Sequence, residues 1–252
     1  MTNSINEQLI LITGESASGK SASLANIRNQ ERWLYLNCES GKRLPFRNKF
    51  QSHTIVDPYQ IYEAFNATAP GGPLHDKVDG IIIDTVTFMM DMFESIHIIP
   101  SSDTQKAWGA YQQFWKKLMQ DHVASSNKCV VMLGHSHSIY DESSLSWKVS
   151  VPVKGALAKN GLESYFSTVV GAKKITLKDL EKFQSNLLHI TEEEELLGFK
   201  HVFQTQLTKE TVGERIRSPM KMFTREETYM DNDAQALLDH LGHYYGDDAV
   251  AA

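Results

Sequence analysis

One eight-residue run, Gly14-Glu15-Ser16-Ala17-Ser18-Gly19-Lys20-Ser21, limits what this chain can fold into more than any other stretch. It satisfies G-x-x-x-x-G-K-[ST] at every fixed position and follows the apolar residues Leu9-Ile10-Leu11-Ile12. A strand therefore delivers it, and the spacing predicts a helix leaving it over Ser21 to Arg28. The residue types follow from the task of wrapping a polyphosphate. Glycines let the backbone close in with several N–H groups pointing inward, where side chains would block the approach. Lys20 then reaches the β- and γ-phosphates, Ser21 offers a hydroxyl to Mg²⁺, and the helix dipole faces the same anion. Residues Gly14 to Ala22 are accordingly read as a P-loop that binds a nucleoside triphosphate.

Two further strand ends carry polar groups that belong with such a loop. Val78 to Thr85 contains the apolar run Ile81-Ile82-Ile83 and then Asp84, a buried parallel strand delivering a carboxylate to its C-terminal edge. Asp84 either holds Mg²⁺ together with Ser21 or caps the helix predicted over Thr85 to Ile96. The strand Trp33-Leu34-Tyr35-Leu36-Asn37 runs into Cys38-Glu39, which places Glu39 on the edge where α/β sheets bind ligands. No glutamate follows Asp84 directly, so Glu39 is the candidate for polarising the attacking water. A third buried strand, Lys128 to Gly134, ends in His135-Ser136-His137, and His135 is positioned to sense the γ-phosphate. Two histidines without further clustered ligands make a poor zinc site.

The remainder alternates in the α/β manner. A strand is predicted over His53 to Val56, helices over Tyr59 to Thr68 and Gln105 to Ser125, and strands over Tyr165 to Ala172 and His201 to Gln206. The stripe Trp108, Tyr111, Phe114, Trp115 and Leu118 has the spacing of a core-facing helix side. Residues 1–230 are read as one domain, with a helix over Asp231 to Tyr245 and an acidic tail closing the chain at 252. Nothing in the sequence is apolar for long enough to span a membrane, no signal peptide is visible, and Cys38 and Cys129 read as reduced core thiols; a cytoplasmic protein is expected.

A net charge of −6 argues against indiscriminate coating of nucleic acid. Ser138 to Lys174 is locally +2, however, and its Trp147, Lys148, Lys154 and Lys159 have the interleaved cation and aromatic character of a single-strand binding surface. A solvated loop with one anchoring tryptophan fits the same residues. Arg215 and Arg217 are of the type that reaches a phosphate within or across subunits.

The ordered set of Gly14–Ser21, Asn37-Cys38-Glu39, Ile81-Ile82-Ile83-Asp84-Thr85 and the strand ending at His135 resembles the RecA-type ATPase core, over about residues 7–206. It looks most like the short, core-only RecA-like proteins of bacteriophages, some of which act in single-strand annealing and recombination. The resemblance implies a three-layer α/β P-loop NTPase with a mainly parallel central sheet. It also implies ATP and Mg²⁺ as cofactors, catalysis by Lys20 and Glu39, and coupling through His135, where recombinases usually carry glutamine. Ser138 to Asn160 matches the second DNA-binding loop of that family. Single-stranded DNA, a homo-oligomer and a single-strand binding protein are the expected partners. With no separate DNA-binding domain in view, annealing or an accessory role is expected over strand exchange. The rival readings are an ATP-gated protein-interaction module, such as a loader or packaging accessory, and a small-molecule kinase, which lacks its arginine-rich lid here.

Overall fold

The computed structural model describes residue 6 and residues 8–142 and 145–246. Six strands lie parallel: β1 (Leu9–Gly14), β2 (Trp33–Asn37), β3 (Gln51–Thr54), β4 (Gly80–Asp84), β5 (Cys129–His135) and β8 (Thr168–Thr176). With β9 (Phe199–Gln204) and β10 (Tyr229–Asp231) added antiparallel at one edge, they form an eight-stranded sheet ordered β10-β9-β8-β1-β5-β4-β2-β3. A separate two-stranded ribbon joins β6 (His137–Asp141) to β7 (Ser146–Ser150).

The two-residue period of a strand sends alternate side chains to opposite faces, and both faces here are covered. Leu11, Leu34, Leu36, Ile81, Ile83, Val130 and Met132 face helices α1 (Gln60–Thr68), α2 (Val86–Phe93) and α3 (Thr104–Lys117). Their neighbours Ile10, Ile12, Tyr35, Ile82, Val131 and Leu133 face the short helix after the P-loop and the C-terminal helix, Ala234–Tyr245. Between these, two short helices complete the set, α4 (Leu177–Leu180) and α5 (Glu192–Leu197), so the C-terminal helix is α6. The architecture is a three-layer α/β fold with a mainly parallel central sheet, as the family resemblance implies. On α3, Tyr111, Phe114 and Trp115 are all at most 2 % exposed, so the aromatic stripe is core.

Several elements differ from the sequence expectation; β8 begins three residues later and β9 two residues earlier than predicted. The helix behind the P-loop is a 3₁₀ helix of six residues, Ser21–Asn26. Its polar side chains compete for its own backbone groups: Ser23 Oγ donates to the Lys20 carbonyl at 2.6 Å, and Asn29 then turns left-handed. Strand β3 begins two residues before the predicted one, because an edge strand needs only backbone pairing with β2 and its own side chains are polar and largely exposed. The segment Ser138 to Ser150, for which no strand is predicted, falls in the β6–β7 ribbon, where Trp147 and Val149 alternate with Ser146, Lys148 and Ser150 and the two faces are not buried in the core. At the C-terminus, Tyr229–Asp231 pairs as β10, and Asp233 caps α6 by accepting from the N–H groups of Gln235 and Ala236. The acidic tail beyond Gly246 lies outside the described residues.

Helix α6 is built into the same core as the P-loop strand. Leu237 and Leu241 are fully buried with Ile10, Ile12 and Leu24. Asp239 pairs with Arg28 and Gln235 accepts from the Arg28 N–H at 2.9 Å, which tethers the chain leaving the P-loop. Truncation of Leu237 to alanine is expected to cost about 2–5 kcal/mol, read as a lowered midpoint in chemical denaturation.

Candidate nucleotide site

Parallel register brings the predicted polar residues to one edge of the sheet. Gly14 stands opposite His135 across β1 and β5, and Asn37 opposite Asp84 across β2 and β4. Strand β5 lies between the P-loop strand and the Asp84 strand, so the loop, the histidine and the two carboxylates converge on a single cleft of about 430 Å³.

The loop itself needs its glycines. Gly19 has φ of +101°, and a Cβ there would lie 2.7 Å from Asn232 Nδ2. A Cβ on Gly14 would meet the Ala172 carbonyl at 2.6 Å. Lys20 is 5 % exposed and donates to the carbonyls of Gly14 at 2.9 Å and Glu15 at 2.7 Å. Burial lowers its pKa to about 8, partly offset by the nearby carboxylates of Asp84 and Glu39.

Asp84 is 2 % exposed. Its Oδ2 accepts from Ser21 Oγ at 3.0 Å and from the Tyr35 hydroxyl at 2.8 Å, while Oδ1 is buried with no protein partner among the described residues. Burial pushes the carboxyl upward against the hydrogen bond from Tyr35, and pushes the tyrosine hydroxyl far up, so that Tyr35 stays a donor. A desolvated carboxylate with one orphaned oxygen beside a serine hydroxyl fits a hard divalent cation, and Ser21 and Asp84 are the residues that would hold Mg²⁺. Thr85 supplies the cap of α2, accepting from the Phe88 N–H, so Asp84 is released from that duty.

Glu39 and His135 complete the cleft. Glu39 Oε1 lies 3.3 Å from His135 Nε2, and Oε2 accepts from Lys42 Nζ at 2.8 Å. The hydrogen bond with His135, seconded by Lys42, overrides burial and holds the carboxyl at about 2. Lys20 Nζ stands 3.3 Å from His135 Nδ1. An ammonium only donates, so the network assigns Nδ1 as acceptor and places the ring proton on Nε2, facing Glu39. His135 thus links the P-loop lysine to the catalytic candidate. Thr87 Oγ1 accepts from the His135 N–H at 2.9 Å, and Phe88 packs edge-on against the ring.

Several cleft residues carried no local sequence signal. Tyr35 reads as an ordinary core strand residue, and His201 and Asn232 come from the far end of the chain. His201 Nδ1 lies 2.9 Å from the Ser18 carbonyl and Asn232 Nδ2 donates to the Gly19 carbonyl at 2.9 Å. Lys42, three residues after Glu39, was readable as an i,i+3 partner.

The remaining candidates stand elsewhere. Trp147 on β7 is 61 % exposed, Lys148 pairs with Asp141, and Lys154 pairs with Glu94 and lies 3.8 Å from Asp91. The Lys159 side chain lies outside the described residues. The basic character read from Ser138 to Lys174 is therefore largely neutralised in the fold, since Lys173 also pairs with Glu214 at 2.5 Å. Arg215 donates to Glu163, 1 % exposed, at 3.1 Å and to the Asn160 carbonyl at 3.1 Å. That buried carboxylate, not a phosphate, is its partner within the chain. Arg217 is exposed on a segment bridged to Val169.

The AAA domain family matches residues 6–212. The chain belongs to that family. No curated protein matches it. Among solved structures it is similar to the flagellar accessory protein FlaH from Methanocaldococcus jannaschii, at 10 % identity, with 79 % of this chain and 78 % of that chain covered and a TM-score of 0.39. This AAA domain is a nucleotide-binding P-loop ATPase. Among its described residues, no helix is long and apolar enough to cross a membrane.

The geometry of the two carboxylates sets two measurable outcomes. The Glu39 pKa is depressed from 4.5 to about 2, so its contribution to stability is present above pH 4.5 and is lost as pH falls towards 2. Acid denaturation followed by circular dichroism should be shallower over that window in Glu39→Gln. Tyr35→Phe removes one donor to Asp84 while keeping the ring, and is expected to weaken the Mg²⁺ dependence of nucleotide binding about 10–100-fold in a metal titration.

Proposed function

We propose that this AAA domain hydrolyses ATP with Mg²⁺ and uses the nucleotide state to control its hold on single-stranded DNA. The observation that carries the reading is the chain Lys20–His135–Glu39, at 3.3 Å for each link, at the start of the β6–β7 ribbon. Loop amides and Lys20 bind the phosphates, and Ser21 and Asp84 hold the cation, which neutralises charge on the phosphate oxygens. Glu39, fully ionised, orients water for in-line attack. Its low pKa suits it to positioning more than to carrying the proton away, so catalysis rests on orientation and electrostatics.

Lys20 cannot serve a γ-phosphate and His135 Nδ1 equally. Drawing the ammonium towards phosphate removes the hydrogen bond that fixes the histidine, and Ser136 is the only residue between His135 and the ribbon. The ribbon presents Ile139, Tyr140, Leu145 and Trp147 to solvent, with Tyr140 and Trp147 ring centroids 5.4 Å apart. Aromatic faces of this kind stack bases. The same apolar tip, with its lysine ion-paired, also suits a protein partner, which supports the ATP-gated interaction module as the second reading.

The test is ATP turnover by wild type, Lys20→Ala and Glu39→Gln, with and without oligothymidine. Expected are loss of nucleotide binding in Lys20→Ala and a roughly 10²–10⁴-fold slower turnover with binding retained in Glu39→Gln. Stimulation of the wild type by oligothymidine supports the DNA reading. Turnover indifferent to DNA, with no DNA binding, overturns it in favour of the protein module.

A further inference from the structure

The loop joining β2 to β3 carries positive charge that the rest of the fold leaves unopposed. Between Ser40 and Val56 the sequence holds Lys42, Arg43, Arg47 and Lys49 with no acidic residue, in a chain of net charge −6. Lys42 is engaged by Glu39, but Arg43, Arg47 and Lys49 are exposed and form no ion pair among the described residues. This is the reverse of the ribbon, where Lys148 is already neutralised by Asp141. Affinity for a phosphate backbone comes from cations that replace condensed counterions, and a lysine already held by a carboxylate contributes little to that exchange.

The loop also encloses a hollow of about 250 Å³, lined by Arg43, Arg47, Asn48, Ser52 and Thr54 with Phe46 as its apolar wall. Cations, amide and hydroxyl groups around one ring are the complement of a sugar-phosphate unit. The hollow is anchored to the nucleotide site: Phe46 meets Phe50 edge-on, Phe50 stacks on Tyr35 at 5.9 Å, and Tyr35 donates to Asp84. Lys42 and Arg43 line both the hollow and the nucleotide cleft, whereas Arg47 lines the hollow alone.

We propose that this β2–β3 loop is the site at which the protein takes the phosphates of single-stranded DNA, with Arg43, Arg47 and Lys49 as the phosphate-binding cations. The inference rests on the DNA reading above and relocates its electrostatic part from the ribbon lysines. It also supplies a route for stimulation. A strand phosphate beside Arg43 competes with Glu39 for the Lys42 ammonium, and Glu39 Oε2, which now accepts from Lys42, becomes available to water.

The test is fluorescence anisotropy of labelled oligothymidine in the presence of ATP and Mg²⁺ across a salt series. The proteins are wild type, Arg47→Ala/Lys49→Ala and the charge-preserving Arg47→Lys/Lys49→Arg. The alanine pair is expected to bind at least about tenfold more weakly at low salt, with a log–log salt slope shallower by about 0.7 for each phosphate that is no longer neutralised. Its affinity for fluorescent ATP and its thermal midpoint should stay at the wild-type values, and the charge-preserving pair should bind DNA as wild type does. Free pyrophosphate at matched phosphate concentration separates the sources: competition equal to that of an oligonucleotide would mark a small-anion pocket and overturn the strand site. Wild-type DNA binding that the alanine pair retains, slope included, overturns this site and leaves the DNA reading standing. Absence of wild-type DNA binding overturns both.

Discussion

A carboxylate taken almost wholly out of water at the end of β4 is the constraint around which the site is arranged. Leaving a charge there without partners would cost several kcal/mol, so the sheet must bring donors to it. Tyr35 comes from the neighbouring strand and Ser21 from the P-loop, and both converge on one oxygen of Asp84. The other oxygen has no protein partner among the described residues, which is the arrangement expected of a metal ligand and a poor one for a purely structural acid. The positions of the P-loop, β2 and β4 are thereby interdependent, and Tyr35 carries that dependence on through Phe50 to the basic loop.

The same edge of the sheet separates two carboxylates by environment. Asp84 is desolvated and pushed upward, whereas Glu39 is held low by His135 and Lys42. Opposite shifts in neighbouring acids mark a division of labour, one group suited to a cation and one to water. His135 belongs to both sides of this division, because its two ring nitrogens face Lys20 and Glu39. AAA domain membership accounts for the phosphate chemistry.

Charge read along the sequence and charge in space are different quantities in this protein. The segment Ser138 to Lys174 is net positive in the chain, yet Lys148, Lys154 and Lys173 each find a carboxylate, two of them from distant segments. The loop after Glu39 keeps its other cations exposed, since among the described residues only Lys42 is paired with an acid. Surface ion pairs of this kind add little stability, but they decide which cations a polyanion can still recruit.

The P-loop, the strands that carry Glu39, Asp84 and His135, and the α/β class were legible in the sequence alone. These are local or periodic properties: a spacing that only a phosphate-wrapping turn requires, and apolar runs too short for helices and too buried for surface. It also contained Lys42, within one turn of Glu39. Only the tertiary structure decided that Tyr35 serves Asp84, that His201 and Asn232 brace the P-loop from the far end of the chain, and that Arg215 answers a buried Glu163. Each of these joins residues distant in sequence, whose partner is set by strand order and register, and none is written in any local pattern. The short 3₁₀ helix after the P-loop has both kinds of cause, the local hydroxyl of Ser23 on the Lys20 carbonyl and the distant tethers from Arg28 to α6.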